Sequence, residues 1–236
     1  MAGLVPFRYG EQRPFRHLTQ LEDLGAPAVE PVTLAEVWAH LRLDPEGSPP
    51  STPQDALLSQ YIATAREMAE ARTATTLCRR RRRALYRAFP EGGLGPDAWW
   101  ALYSGSLAWE PLALPAGPAS DVVIRYYDEA NQLQTLDPAR YIVAGARRSL
   151  VSLLPSFVWP ATFQRVDAVQ VEYTAGYGAA GSPSTEAEER AAVPARVRTA
   201  ILFLVQSMYD NPPKDERDAI ERMVERMLGG VRVHSF

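Results

Sequence analysis

The stretch AVQVEYT, residues 168–174, decides the fold class. Val169, Val171 and Tyr173 alternate with Gln170 and Glu172, the period of a strand with one buried and one wet face. Upstream, from about residue 77, the same period recurs between Gly, Pro and Asp turns. It places further strands at about 77–88, 107–114, 120–127, 132–136, 140–144 and 149–154. Residues 122–127 and Leu133 form a hairpin around a turn at 128–131.

On both sides of this β-rich segment the period changes to that of a helix. Before it, Thr33 and Glu36 have capping-box spacing ahead of Leu34, Val37, Trp38 and Leu41. A loop at 44–53 follows, and then a stronger start: Thr52 as cap, Pro53 in the first turn and Asp55 near the positive end of the dipole. The resulting helix, about 53–73, is expected to bury Leu57, Leu58, Tyr61, Ile62, Ala65, Met68 and Ala69. Gln60, Arg66, Glu67 and Glu70 are expected to face solvent.

After the strands, residues 178–192 (GAAGSPSTEAEERAA) read as a flexible acidic loop. Val197, Ile201, Leu204, Val205 and Met208 then mark a helix that Asn211, Pro212 and Pro213 stop. A last helix, 215–228, buries Ala219, Ile220, Met223, Val224, Met227 and Leu228. The expected class is α+β: a small α-helical bundle of two N-terminal and two C-terminal helices with a β-rich insertion in the middle. Residues 1–32, with four prolines and no sustained period, form an extended N-terminal arm; 33–76 and 193–228 form the helical core; 77–177 is the insertion; 229–236 is a tail.

Composition narrows the function classes. The 236 residues are 46% hydrophobic and 22% charged, enough apolar content for a core. With 25 basic and 28 acidic side chains the net charge is -3, unlike the basic excess of a nucleic-acid-binding domain. The balance is local: residues 74–150 carry 10 basic and 7 acidic groups, and residues 151–192 carry 2 and 5. One cysteine, Cys78, excludes an intramolecular disulfide framework. No apolar run approaches the ~20 residues that span a bilayer, so no membrane partner and assembly in a cytoplasm are expected.

Gly176, Gly178 and Gly181 spell GxGxxG directly after the strand. A dinucleotide fold needs a helix starting at those glycines, and the carboxylates of Glu186, Glu188 and Glu189 would repel phosphate, so a loop exit is the better reading. His17, His40 and His234 have no ligand spacing, and Ser104, Gly105 and Ser106 lack the rest of a nucleophile elbow. No cofactor, metal or catalytic residue is expected, and the chain reads as a non-enzyme.

Two clusters read as contacts. Arg79, Arg80, Arg81, Arg82 and Arg83 in a row suit either a phosphate grip or a strand whose arginines alternate between faces and meet acidic surface on a neighbouring subunit. Trp99, Trp100 and Trp109 form an aromatic cluster, either satellite core or an inter-subunit contact.

The ordered signals PVTLAEVWAHLRLD (31–44), QDALLSQYIATAREMAEARTATTL (54–77), LDPARYIV (136–143), VQVEYTAGYG (169–178) and VPARVRTAILFLVQSMYDN (193–211) resemble the head-to-tail connector, or adaptor, proteins of tailed bacteriophages and gene transfer agents. The resemblance implies a structural virion protein of the neck, assembled in the host cytoplasm. Such adaptors form a homo-oligomeric ring, usually of twelve copies, under the portal protein. The ring extends the channel through which genomic DNA passes non-specifically, and it is a platform for the head-closure, stopper or tail-completion protein. It also implies a portal-binding C-terminal segment, here Val231, Arg232, Val233, His234, Ser235 and Phe236, whose alternation suits strand addition. The rival reading is a DNA-binding phage assembly factor that uses the five arginines.

Overall fold

The computed structural model describes residues 17–43, 53–90, 111–145, 148–154, 157–178 and 185–232. Trp99, Trp100, Trp109, Val233, His234, Ser235 and Phe236 lie outside the described residues, as do the cap at Thr52, Gly181 and the first half, 107–110, of the strand expected at 107–114.

Local chemistry starts the first helix where the capping box places it. In α1 (Leu34–Leu41) the Thr33 backbone N–H donates to Glu36 Oε2 at 2.7 Å and the Glu36 N–H donates to Thr33 Oγ1 at 3.1 Å. The helix α2 (Pro53–Thr73) is tied to it by the Trp38 indole N–H, which donates to Asp55 Oδ1 at 3.0 Å. The acidic loop expected at 178–192 is a correction: residues Glu186–Ala192 form a short helix, α3, with its own capping box from Thr185 and Glu188. The cap supplies what the polar composition conceals. Two longer helices follow, α4 (Ala195–Asp210) and α5 (Lys214–Gly229).

One hydrophobic cluster joins α1, α2, α4 and α5. Val37, Leu58, Ile62, Ala65, Ala69, Val197, Ile201, Leu204, Val205, Val224 and Leu228 are its buried members. The face expected for α2 is largely right, but Leu57 is 40% exposed, while Arg66, expected on the wet side, is 5% exposed. In α5, Val224 and Leu228 are buried, Ile220, Met223 and Met227 are partly so, and Ala219 is exposed.

The β-rich insertion is two antiparallel sheets around a second cluster. The larger has the order β1-β2-β8-β4-β5, formed by β1 (Leu18–Asp23), β2 (Arg80–Tyr86), β8 (Val169–Ala175), β4 (Ala119–Tyr127) and β5 (Leu133–Thr135). The smaller is β3 (Leu112–Leu114), β7 (Ser149–Leu153) and β6 (Tyr141–Ala144), in the order β3-β7-β6. Strand β8 alternates as its sequence demands: Val169, Val171 and Tyr173 are buried against Leu112, Leu114, Val151 and Leu153 of the smaller sheet. Two buried tyrosines lock the arrangement, with Tyr86 Oη donating to the Ala113 carbonyl at 2.6 Å and Tyr173 Oη to that of Pro115 at 2.7 Å.

Strand β1 is the second correction. The proline-rich arm contains an edge strand that pairs with β2, Glu22 opposite Arg83 and Asp23 opposite Arg82. Its sequence, LTQLED, has no clean alternation, as suits an edge strand most of whose residues are exposed.

Candidate functional site

Strand β2 carries the arginine run, and the strand period divides the run between two surfaces. Arg80, Arg82, Ala84 and Tyr86 share the face toward the β core, while Arg81, Arg83 and Leu85 share the outer face.

The inner arginines build an ionic seam between the two cores. Arg80 donates through Nη1 and Nη2 to Glu70 of α2 at 2.9 and 3.0 Å, and through Nε to Asp23 of β1 at 3.0 Å. Arg66 donates to the same Glu70 at 3.1 Å and to Glu30 at 2.9 Å. Arg82 adds two bonds to Asp23. Glu70 also accepts the backbone N–H of Leu77 at 2.8 Å, which fixes the connection from α2 into β2. A cleft of about 410 Å³ opens beside this seam, lined by Asp23, Gly25, Ala26, Pro27, Arg66, Glu67 and Arg80.

Electrostatics follow the geometry. Burial acts to raise the Asp23 carboxyl, but the bonds from Arg82 and Arg80 outweigh it and hold the group below its ordinary value. Burial likewise opposes the charge on Arg80, and Glu70 more than compensates, so Arg80 is held more firmly protonated than a free arginine. Cys78, beside the seam, has its thiol pushed up to about 12 by burial first and then by Glu30 and Glu70.

The outer arginines converge on one carboxylate. Glu172 of β8 accepts from Arg81 at 3.2 Å, from Arg83 at 2.8 Å and from Arg125 of β4 at 2.9 Å. Hydrogen bonding from Arg83, with the charges of its neighbours, keeps the Glu172 carboxyl below its ordinary value against the effect of burial. Arg79, just before the strand, lies 3.8 Å from Glu189 of α3. Each of the five arginines therefore meets a carboxylate of its own chain. That pairing weighs against a five-arginine grip on phosphate and supplies acidic partners for the arginines within the subunit.

Sequence reasoning missed Glu70, Glu30, Asp23, Arg66, Glu172 and Arg125. The signal available was an acidic residue one turn after Arg66 on α2, Glu70, which reads equally well as a solvated pair. Two glycines of the GxGxxG pattern, Gly176 and Gly178, are explained by close approach. Gly176, at φ +119°, lies where a Cβ would meet the Arg79 nitrogen and the Cys78 carbonyl carbon at 2.7 Å, and the next helix starts only at Glu186.

At the C-terminal end, α5 runs to Gly229, and the Val231 N–H donates to the Leu228 carbonyl at 2.9 Å. Val231 is 2% exposed and belongs to the helical cluster, so its expected place in an extended docking strand is corrected. Arg232 is exposed. Among the described residues there is no group of three or more His, Cys, Asp or Glu placed to hold a metal ion.

No known protein family's sequence profile matches the chain, and no curated protein matches it. Solved structures do. A chain from the neck of an empty gene transfer agent (GTA) particle, computed with C6 symmetry, is similar at a TM-score of 0.66 and 20% identity, over 92% of this chain and 97% of that one. A chain from the virion of a native GTA particle is similar at 0.63 and 20% identity, with the same coverage. A third, from the neck of a native GTA particle computed with C12 symmetry, is similar at 0.57 and 19% identity, again with that coverage. At this identity the likeness carries the fold, and it agrees with the order of elements read from residues 31–213. This chain shares its α+β fold, over nearly its whole length, with chains of gene transfer agent necks.

Proposed function

We propose that this chain is a structural, non-enzymatic virion protein of the neck: a head-to-tail connector that forms a ring under the portal, extends the DNA channel and offers a platform for head-closure or tail-completion proteins. The observation that carries the reading is the likeness to GTA neck chains over 92% of this chain and 97% of theirs, in assemblies computed with C6 and C12 symmetry. The helical core and the β insertion then act as one body, joined by the Glu70 seam. The portal contact falls to the segment after the buried Val231, namely Arg232, Val233, His234, Ser235 and Phe236. The ring would number about twelve copies, assembled in the host cytoplasm, with DNA passing through it non-specifically.

Electron microscopy of the purified chain mixed with its portal protein tests this. The expected result is a ring on one face of the portal; a portal that stays bare at saturating chain concentration refutes it. The tail is tested separately by deleting residues 233–236, which spares Val231. Docking that persists unchanged assigns the portal contact to another surface.

The rival, a DNA-binding assembly factor, loses support from the carboxylate paired with each of the five arginines. It requires duplex affinity that falls steeply with salt and vanishes when those arginines are replaced.

A further inference from the structure

We infer that α3 is a clasp across the junction of the two cores, one that opens as a unit of its own while both cores stay folded. Among the described elements the chain passes between the helical core and the β insertion three times: from β1 to α1, from α2 to β2, and from β8 to α4 by way of α3. The clasp touches the other two crossings. Arg190 Nε donates to the Glu30 carbonyl, on the first, at 3.2 Å, and Glu189 lies 3.8 Å from Arg79, on the second. Both contacts adjoin the ionic seam, since the Glu30 carboxylate holds Arg66 and Arg79 directly precedes Arg80. Glu189 and Arg190 line one narrow gap with Val29, Cys78 and Tyr177, so the clasp closes over the thiol.

The contacts that hold α3 down are weak ones. It buries none of its residues, and Ala187, Ala191 and Ala192 are exposed. Seven residues are too few for a helix to persist in water without packing. The Arg79–Glu189 separation exceeds that of a charge-assisted hydrogen bond, and the capping box of Thr185 and Glu188 is exposed. Such a segment lies at the low end of local stability, where opening costs far less than unfolding the whole chain.

Its C-terminal end is anchored. Val193, 2% exposed, belongs to the helical cluster, so the motion is that of a flap hinged where Val193 and Pro194 lead into α4. The crossings keep bonds that do not involve α3: the Tyr177 N–H donates to the Leu77 carbonyl at 3.2 Å, and Arg80 remains on Glu70. Opening therefore releases the Glu30 carbonyl and the Arg79 guanidinium from α3 and uncovers Cys78, 6% exposed when the clasp is shut, without breaking either core. The fold thus carries a means of changing the surface at its junction while staying folded.

The experiment labels the single cysteine of the full chain with 5,5′-dithiobis(2-nitrobenzoate) and follows the rate over a urea series below the unfolding transition. Opening of α3 exposes little surface, so the rate is expected to change by less than about twofold per molar urea, where global opening gives about tenfold or more. Thr185→Ala removes the cap and is expected to speed labelling about fivefold. Val151→Ala, in the β core, is expected to lower the urea midpoint and leave the labelling rate unchanged. Hydrogen exchange is expected to be faster over residues 186–192 than over 195–210. A rate that climbs about tenfold per molar urea from the start, or a thiol that stays silent up to the global transition, overturns the inference. So do wild-type labelling in Thr185→Ala, labelling in Val151→Ala that accelerates in step with lost stability, and equal exchange protection of the two helices.

Discussion

Replacing Glu70 with glutamine tests whether the ionic seam holds the two cores together. The change preserves shape but removes the charge on which Arg80 and Arg66 converge and places an amide N–H₂ where two guanidinia and the Leu77 N–H require acceptors. The Glu70 side chain is 10% exposed, and those of Arg66 and Arg80 are 7% and 6% exposed, so water cannot substitute freely. Removing one partner of a buried ion pair costs about 3–5 kcal/mol. Here each arginine keeps a second carboxylate, Glu30 or Asp23, which puts the expected loss near the lower bound, about 3 kcal/mol. For a chain of this length that corresponds to a fall in Tm of about 6–12 °C. The assay is urea unfolding with linear extrapolation, alongside Glu67→Gln as a control at a neighbouring carboxylate that is 70% exposed, expected within about 0.5 kcal/mol of wild type. A loss below about 1 kcal/mol for Glu70→Gln refutes the argument, because the seam would then be incidental to stability.

Other outcomes follow from the same geometry. Gly176→Ala forces a Cβ against the Arg79 and Cys78 backbone at positive φ and is expected to cost more than about 1 kcal/mol in urea unfolding, whereas Gly25→Ala, with nothing within 4 Å, is expected to be near neutral. Asp23, Glu36 and Glu172 all have carboxyls held below their ordinary values. Their contribution is therefore fully present above the unfolded-state range near about 4 and is lost as pH falls through the lower folded values. The urea midpoint is expected to drop below that range, and Glu172→Gln to flatten the drop; an identical acid profile in that variant contradicts the assignment. Cys78, buried and with its thiol pushed up to about 12, is expected to react with a thiol reagent only as fast as the protein opens. Rapid labelling of the native chain at neutral pH shows that reasoning to be wrong.

Much of the architecture was legible because it depends on local chemistry. The Thr33–Glu36 box starts α1 where the sequence places it, and Asp128 turns the β4–β5 hairpin by accepting the N–H groups of Ala130 and Gln132. The strand boundaries also follow the period of two, with β8 alternating along its length. The site was far less legible. Arg66 and Glu70 read as the solvated side of α2 because no helical period reveals that a sheet strand will be laid across it. Strand β1 was invisible because its residues are mostly exposed and carry no period of two.

The sequence by itself determined that helices flank a β-rich middle, since periodicity, caps and turn residues act within a few positions of one another. It also offered, as one of two readings, arginines alternating between two faces, which is a property of any strand and holds for Arg80–Arg83. Which carboxylates meet them was decided only by the tertiary structure. Asp23 lies 57 positions from Arg80, and Glu172 lies 89 from Arg83. Charge pairing carries no period along the chain and acts at a few ångströms, so those partners exist only once packing of the two cores has brought their strands and helices together.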